Sequence, residues 1–360
     1  MFKSWLDAWK NRKKGFGKSS GGFFRPELFP LEKRITPASV VISYQPSTGI
    51  LTVNSNTNSG ETNFFETTQD TSIPTTLNFN ALDSGTTITT FPGSNVILGG
   101  TATSATLDTN NLANFTKIIF TGGFGDDKFV LNNLNGNDLA SVNIADFSIE
   151  TDVHTSGNGS GADFLTIQGS IATKGDGFFS TDTRPSSTLV PATSNKTFDQ
   201  IDLLSTSTIS STGSGVIRLV ADGLNSSNII FHKDPVNSNN ANISGGSGAV
   251  SLKTGVNGAT FLNGNAINSD GGPINFENAV VLESSTSLAT GNGNGSQSST
   301  AILFSGNVNG VSANNQQLLL LTDGQVTFKG VAGTTTVPLG SMVIGSQVIQ
   351  PSVLNFVGNV

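Results

Sequence analysis

No cysteine occurs in this 360-residue chain, which excludes disulfides, thiolate metal sites and a cysteine nucleophile. Charge is scarce as well: Asp, Glu, Lys and Arg make up only 12% of the residues. No stretch approaches the roughly 18 apolar residues of a membrane-spanning helix. The N-terminal segment also lacks the apolar run of about 7–15 residues that a secretory signal carries. Histidine is confined to His154 and His232, each without a partner signal around it, so each reads as an exposed loop imidazole. Both tryptophans, Trp5 and Trp9, lie near the N-terminus. Beyond residue 38 there is one tyrosine, Tyr44, against 19 phenylalanines. Sugar-binding clefts favour Trp and Tyr platforms, whose rings join an apolar face to a polar edge. Phenylalanine is the aromatic suited to burial, so these rings read as core.

What remains is a body of Val, Ile, Leu and Phe set among Gly, Ser, Thr and Asn. The chain is 35% hydrophobic, too apolar for a disordered segment of low charge. Branched and aromatic residues suit pleated surfaces, and frequent turn residues punctuate them, so the expectation is all-β. One phrase recurs: Val216-Ile217-Arg218-Leu219, Ala249-Val250-Ser251-Leu252, Pro273-Ile274-Asn275-Phe276, Ala301-Ile302-Leu303-Phe304 and Gln325-Val326-Thr327-Phe328. Counted from the aliphatic residue, the steps are 33, 24, 28 and 24 residues. A short strand returning at 20–30 residues predicts a right-handed parallel β-helix, a β-solenoid. Strands are expected at 117–121, 128–131, 141–144, 164–168, 200–204, 216–220 and 228–231, then through the repeated phrases to 341–344 and 347–349. Ser39–Tyr44 and Ile50–Val53 flank Gln45-Pro46-Ser47-Thr48-Gly49, a hairpin signal. The expected organisation is a basic targeting leader over 1–38, an irregular β region over 39–114 and the solenoid over 115–360.

The leader stands apart by charge. Residues 1–38 hold nine Lys and Arg against three acids, +6, whereas the remainder holds nine against 22, −13. A basic head on an acidic body reads as an address followed by its cargo. The body lacks the cations that neutralise phosphates, so nucleic acid is not an expected partner. Phe2, Trp5, Leu6 and Trp9 fall at i, i+3, i+4 and i+7, which predicts a short basic helix over 1–14. Lys10, Arg12, Lys13 and Lys14 follow the stripe, a pattern that suits transient contact with an anionic membrane surface.

Leu31-Glu32-Lys33-Arg34-Ile35-Thr36-Pro37-Ala38 closes this leader. The arrangement resembles the N-terminus of large secreted surface proteins of planctomycete bacteria, where a Leu-Glu-x-Arg-x-x-Pro-Ala phrase ends a basic leader. The resemblance implies export to the cell envelope or beyond and carries no chemistry. Residues 271–282, 301–310 and 325–333 resemble the filamentous haemagglutinin and autotransporter type of β-helix. Those families are adhesins and secreted passengers.

Two constellations bear on chemistry. Gly122-Gly123-Phe124-Gly125-Asp126-Asp127-Lys128-Phe129-Val130 fits the calcium-binding nonapeptide G-G-x-G-x-D-x-U-x, and a degenerate copy, Asn158 to Leu165, places Asp163 36 residues after Asp127. Gly123, Gly125, Asp126, Asp127 and Asp163 are the candidate calcium residues, although calcium rolls need consecutive copies and the intervening units are missing. A polysaccharide lyase or hydrolase would need paired carboxylates or a cationic base. Asp126, Asp127, Asp163, Asp176, Asp182 and Asp222 supply carboxylates, but no two share a motif, and no catalytic or cofactor residue is assigned. The expected function is therefore a non-enzymatic exported β-solenoid, adhesin-like or structural, displaying its faces to a surface polysaccharide, matrix or other protein. A polysaccharide lyase or hydrolase and a calcium-stabilised repeat module are the alternatives.

Overall fold

Alternation of branched or aromatic residues with Ser, Thr and Asn turns each repeated phrase into a strand with one buried face. Gln325–Phe328, for example, buries Val326 and Phe328 and leaves Gln325 exposed. The computed structural model describes residues 38–55, 62–90, 103–112, 114–123, 126–135, 146–150, 162–181, 199–221, 227–233, 240–291, 301–345 and 353–357. Among them there is no α-helix; a single 3-10 turn spans Thr109–Asn111. The helix expected over 1–14, the Leu-Glu-x-Arg motif up to Pro37, and the strands expected at 141–144 and 347–349 lie outside the described residues. Residues Pro37–Val360 form one compact unit.

The strands collect into two long sheets, one of 12 strands and one of 14. From Lys117–Thr121 onward the chain visits them in alternation, giving one or two strands to one sheet and then one to the other. Nine strands of the smaller sheet, from Lys117–Thr121 to Val353–Phe356, follow one another in chain order, and each pairs in parallel with the next. Three of these, Asp146–Glu150, Gly177–Ser180 and Val353–Phe356, are not anticipated from the sequence.

Among the described strands, antiparallel pairing is confined to the other end; elsewhere a single antiparallel bridge joins Lys233 and Asn240. Ala38–Gln45 and Ile50–Ser55 form the expected hairpin, with Gly49 in the left-handed region at φ 68°. Phe64–Gln69, Thr76–Ala81 and Ser104–Asp108 form an antiparallel run that ends the larger sheet. Ile50–Ser55 and Phe64–Gln69 then pair in parallel with Lys117–Thr121 and Lys128–Asn135, so this region continues directly into the two sheets.

Register converts the repeated phrase into columns. Ile217, Val250, Ile274, Ile302 and Val326 stand in one line, and Leu219, Leu252, Phe276, Phe304 and Phe328 in the next. All ten are buried, in one core formed by residues of both sheets. Burying a side chain of this size contributes roughly 1.5–3 kcal/mol. The rings of Phe276, Phe304, Phe328 and Phe356 stack face to face, with centroids 5.1, 4.8 and 5.3 Å apart. That spacing is set by the strand separation of about 4.8 Å, which leaves flat rings in register little choice but to stack.

Candidate functional site

The residue just before each strand of the larger sheet occupies a corner where backbone N–H groups need acceptors. Asn63, Asp127, Asp163, Asp199 and Ser227 hold this position in successive repeats. The backbone itself shows the register: Lys128 N–H donates to Asn63 O, Phe164 to Asp127 O, Gln200 to Asp163 O and Asn228 to Asp199 O. Side chains complete the corner. The Asn63 N–H donates to the Asp127 carboxylate at 3.1 Å, the Asp127 N–H to Asp163 at 2.8 Å, the Asp163 N–H to Asp199 at 3.1 Å and the Asp199 N–H to Ser227 Oγ at 3.1 Å. All five residues are fully buried. A hydrogen bond to a charged group contributes about 1.5–3 kcal/mol, which offsets part of the desolvation of a buried carboxylate.

The structure thus brings Gly123, Asp127 and Asp163 together, whereas Gly125 lies outside the described residues. The 36-residue interval between Asp127 and Asp163 is one passage through both sheets, and Asp199 follows after another 36. Asp127 accepts from Gly123 N–H (2.6 Å), Asn63 N–H, Asn63 Nδ2 (2.8 Å) and Ser55 Oγ (3.1 Å). Asp126 points its carboxylate the other way and accepts from Ala162 N–H at 2.8 Å. A hard cation takes six to eight oxygens. Here N–H and O–H donors occupy both oxygens of Asp127, and among the described residues no three carboxylate or imidazole groups gather to hold a metal. In the described part of the motif these groups form a hydrogen-bonded corner.

The other carboxylates weighed from sequence follow suit. Asp176 accepts from Val216 N–H at 2.8 Å, and its own N–H donates to Asp146 at 2.9 Å. Asp182, Asp222 and His154 lie outside the described residues.

Burial pushes the Asp127 carboxyl up from the usual carboxylate range to about 6, against the lowering pull of its four hydrogen bonds. Between roughly pH 4 and pH 6 the folded chain therefore keeps a proton that the unfolded chain has released. Stability is favoured on the acid side of that window and falls as pH rises through it, by about 3 kcal/mol for this group. Urea melts from pH 4 to 7 should show Asp127→Asn gaining on the wild type across the window. A difference independent of pH would mean that Asp127 ionises as an ordinary carboxylate.

Sequence reading missed a second cluster, on the outer face of the larger sheet. His232 directly follows the strand Asn228–Phe231, and its Nε2 lies 2.8 Å from Asp202 Oδ1 one repeat earlier. Asp202 Oδ2 accepts from Gln200 Nε2 at 2.7 Å. On the other side, Asn263 Nδ2 donates to Phe231 O at 2.8 Å and to Glu283 Oε2 at 2.6 Å. The hydrogen bond to Asp202, with the negative charge of Asp202 and Glu283 behind it, raises the His232 pKa despite partial desolvation. His232 is thus paired, and a half-exposed imidazole held against carboxylates gives this face an acid–base group. The clue was sequence-remote: Asp202 and His232 are 30 residues apart and meet only through register.

A surface depression of about 200 Å³ is lined by Gln69, Asp70, Thr71, Pro74 and Asn133. Its polar groups serve the local backbone. Asp70 accepts from Ser72 and Ile73 N–H, Gln69 from Asn135 N–H and Asn133 from Ser170 N–H. Comparison with protein-family models, curated proteins and solved structures finds no match to this chain.

Proposed function

We propose that the chain is a right-handed parallel β-helix, a β-solenoid, acting without catalysis as an exported adhesin-like or structural protein of the cell surface or extracellular space. The observation that carries this reading is the alternation of parallel strands between two sheets, from Lys117–Thr121 onward, over a continuous Val, Ile, Leu and Phe core. Such an array offers long faces and variable loops for binding, and its carboxylates at the corners serve the backbone instead of a ligand. One outward column, Arg218, Ser251, Asn275, Leu303 and Thr327, mixes polar with apolar side chains, which suits contact with polysaccharide, matrix or another protein. The resemblance of residues 1–38 to a planctomycete surface-protein leader supplies the export half of the reading, with 1–14 touching membrane in transit. Fractionating cells that express the chain with and without residues 1–38 tests it. The intact chain is expected in the envelope or medium, and the truncated chain inside. An intact chain found in the cytosol would overturn the proposal.

One observation favours a second reading. His232 hydrogen-bonded to Asp202, with Glu283 nearby, is the acid–base pairing that a polysaccharide hydrolase or lyase would need. It ranks below the first because the body carries no Trp and a single, buried Tyr44 for a sugar platform. Polysaccharide cleavage abolished by Asp202→Asn would reverse that ranking.

A further inference from the structure

Cations are few on the acidic body, yet three of its nine Lys and Arg share one face. Ile217 and Leu219 are buried on either side of Arg218, so Arg218 faces outward from the smaller sheet. It opens the column that continues through Ser251 and Asn275. The adjacent outward column holds Lys253, Glu277, Ser305 and Lys329. Its register is set by the backbone: Glu277 N–H donates to Leu252 O, Ser305 to Phe276 O and Lys329 to Phe304 O. Strands lie about 4.8 Å apart, so Lys253 and Lys329 stand about 14 Å apart along the stack. Glu277 is the only acid in the two columns. Its Oε1 lies 3.8 Å from Arg218 Nη2, too far for a hydrogen bond, and already accepts from Ser251 Oγ at 3.2 Å. Arg218 Nε is buried without a partner, and the guanidinium makes no hydrogen bond among the described residues. With its side chain 33% exposed, a planar fork of donors is held in place and left open to solvent.

We propose that this face binds an anionic polysaccharide whose sugars carry carboxylates, laid across the strands along the stack. The Arg218 fork matches a planar carboxylate, which it can hold through two parallel hydrogen bonds. Lys253 and Lys329 add point charges farther along the same line, and Ser251, Asn275 and Thr327 between them offer hydrogen bonds to sugar hydroxyls. A nucleic acid would be drawn by the same charges. However, the outward positions of these strands, from Val216 to Lys329, hold no aromatic ring on which bases could stack. The inference rests on the surface reading above for where such a polymer is met, and on this face for its capture.

The test is equilibrium binding of the purified full chain to alginate, with neutral dextran and single-stranded DNA as the comparison probes. Alginate should bind in a salt-sensitive way and dextran should not bind. The triple variant Arg218→Gln/Lys253→Gln/Lys329→Gln should bind alginate at least about tenfold more weakly. The control Lys128→Gln/Lys174→Gln/Lys233→Gln removes the same charge from exposed positions off this sheet and should stay within about twofold of the wild type. Glu277→Gln removes the one acid and should bind several-fold tighter, a gain that misfolding cannot imitate. The basic leader is present in every chain, so its own attraction cancels. Equal losses in the two triple variants, or no loss in either, would assign binding to net charge or to the leader and overturn the proposal. So would Glu277→Gln binding no tighter, dextran bound as well as alginate, or DNA bound as tightly as alginate. None of these results alters where fractionation finds the chain, so this proposal and the surface reading fail separately.

Discussion

Replacing Phe304 with alanine is expected to lower the unfolding free energy by about 3–5 kcal/mol, the range for a phenylalanine removed from a core that cannot relax. Phe304 is fully buried between Phe276 and Phe328, its ring within 8° of parallel to both. Collapse into the vacated space would require the strands Ile274–Phe276 and Gln325–Phe328 to close on Ile302–Phe304. Their separation is held by parallel backbone pairing on both sides. The void would thus persist, and the two neighbouring rings would each lose a stacking partner. Phe356→Ala is the control. It ends the same stack 5.3 Å from Phe328 but is 41% exposed, so its loss should cost only about 1 kcal/mol. Urea melts of both variants decide the matter. Equal, small effects would mean that the ring stack contributes no more than surface packing. Because stacked repeats can unfold piecemeal, the m-values should be compared as well; a lower m-value would report loss of the C-terminal repeats alone.

The phrase that supports this prediction was legible in the sequence because it combines two local signals. A Gly-rich turn sets the start, and period-two alternation of an aliphatic residue with Leu or Phe sets the buried face. The five phrases from Ile217 to Phe328 fall in one sheet and in two unbroken columns. Where either signal weakened, reading failed. Asp146–Glu150 begins and ends on an acid, so its short apolar centre was passed over. The corner ladder was half visible. The 36-residue interval from Asp127 to Asp163 stood out, but its meaning lay in Asp199, another 36 residues on and outside any glycine-rich motif. Calcium motifs and corner caps share the need for Gly-Asp turns, and only hydrogen-bond partners separate them. His232 was the least legible of all. Loops between repeats vary in length, so nothing in the sequence aligns Asp202 with it until the strands are in register.

The glycines before the phrases carry the other large effect. Gly175, Gly215, Gly248 and Gly272 stack at one corner, each against the backbone of the one before. A Cβ on Gly215 would lie 1.9 Å from Gly175 O, one on Gly248 2.1 Å from Gly215 O, and one on Gly272 1.7 Å from Gly248 O. These obstacles are main-chain carbonyls, so no rotamer change can relieve them. Nor can the backbone easily retreat, because Ile217 N–H donates to Ala249 O, Val250 N–H to Pro273 O and Ile274 N–H to Ala301 O, all within 2.9 Å. Gly272→Ala is therefore expected to destabilise the chain by about 3 kcal/mol, at the upper end for overpacking. Gly85→Ala offers the contrast: its added Cβ meets nothing nearer than Asp83 Oδ1 at 3.7 Å. There the smaller entropy of the unfolded chain should make the change neutral or stabilising by up to about 1 kcal/mol. Hydrogen exchange can locate the damage. Loss of protection in Gly272→Ala should centre on Val250–Thr254 and Ile274–Phe276, the strands that this corner aligns. Protection unchanged in those strands, with stability near that of the wild type, would show that the corner yields and that the glycine column is not what sets the register of the phrases.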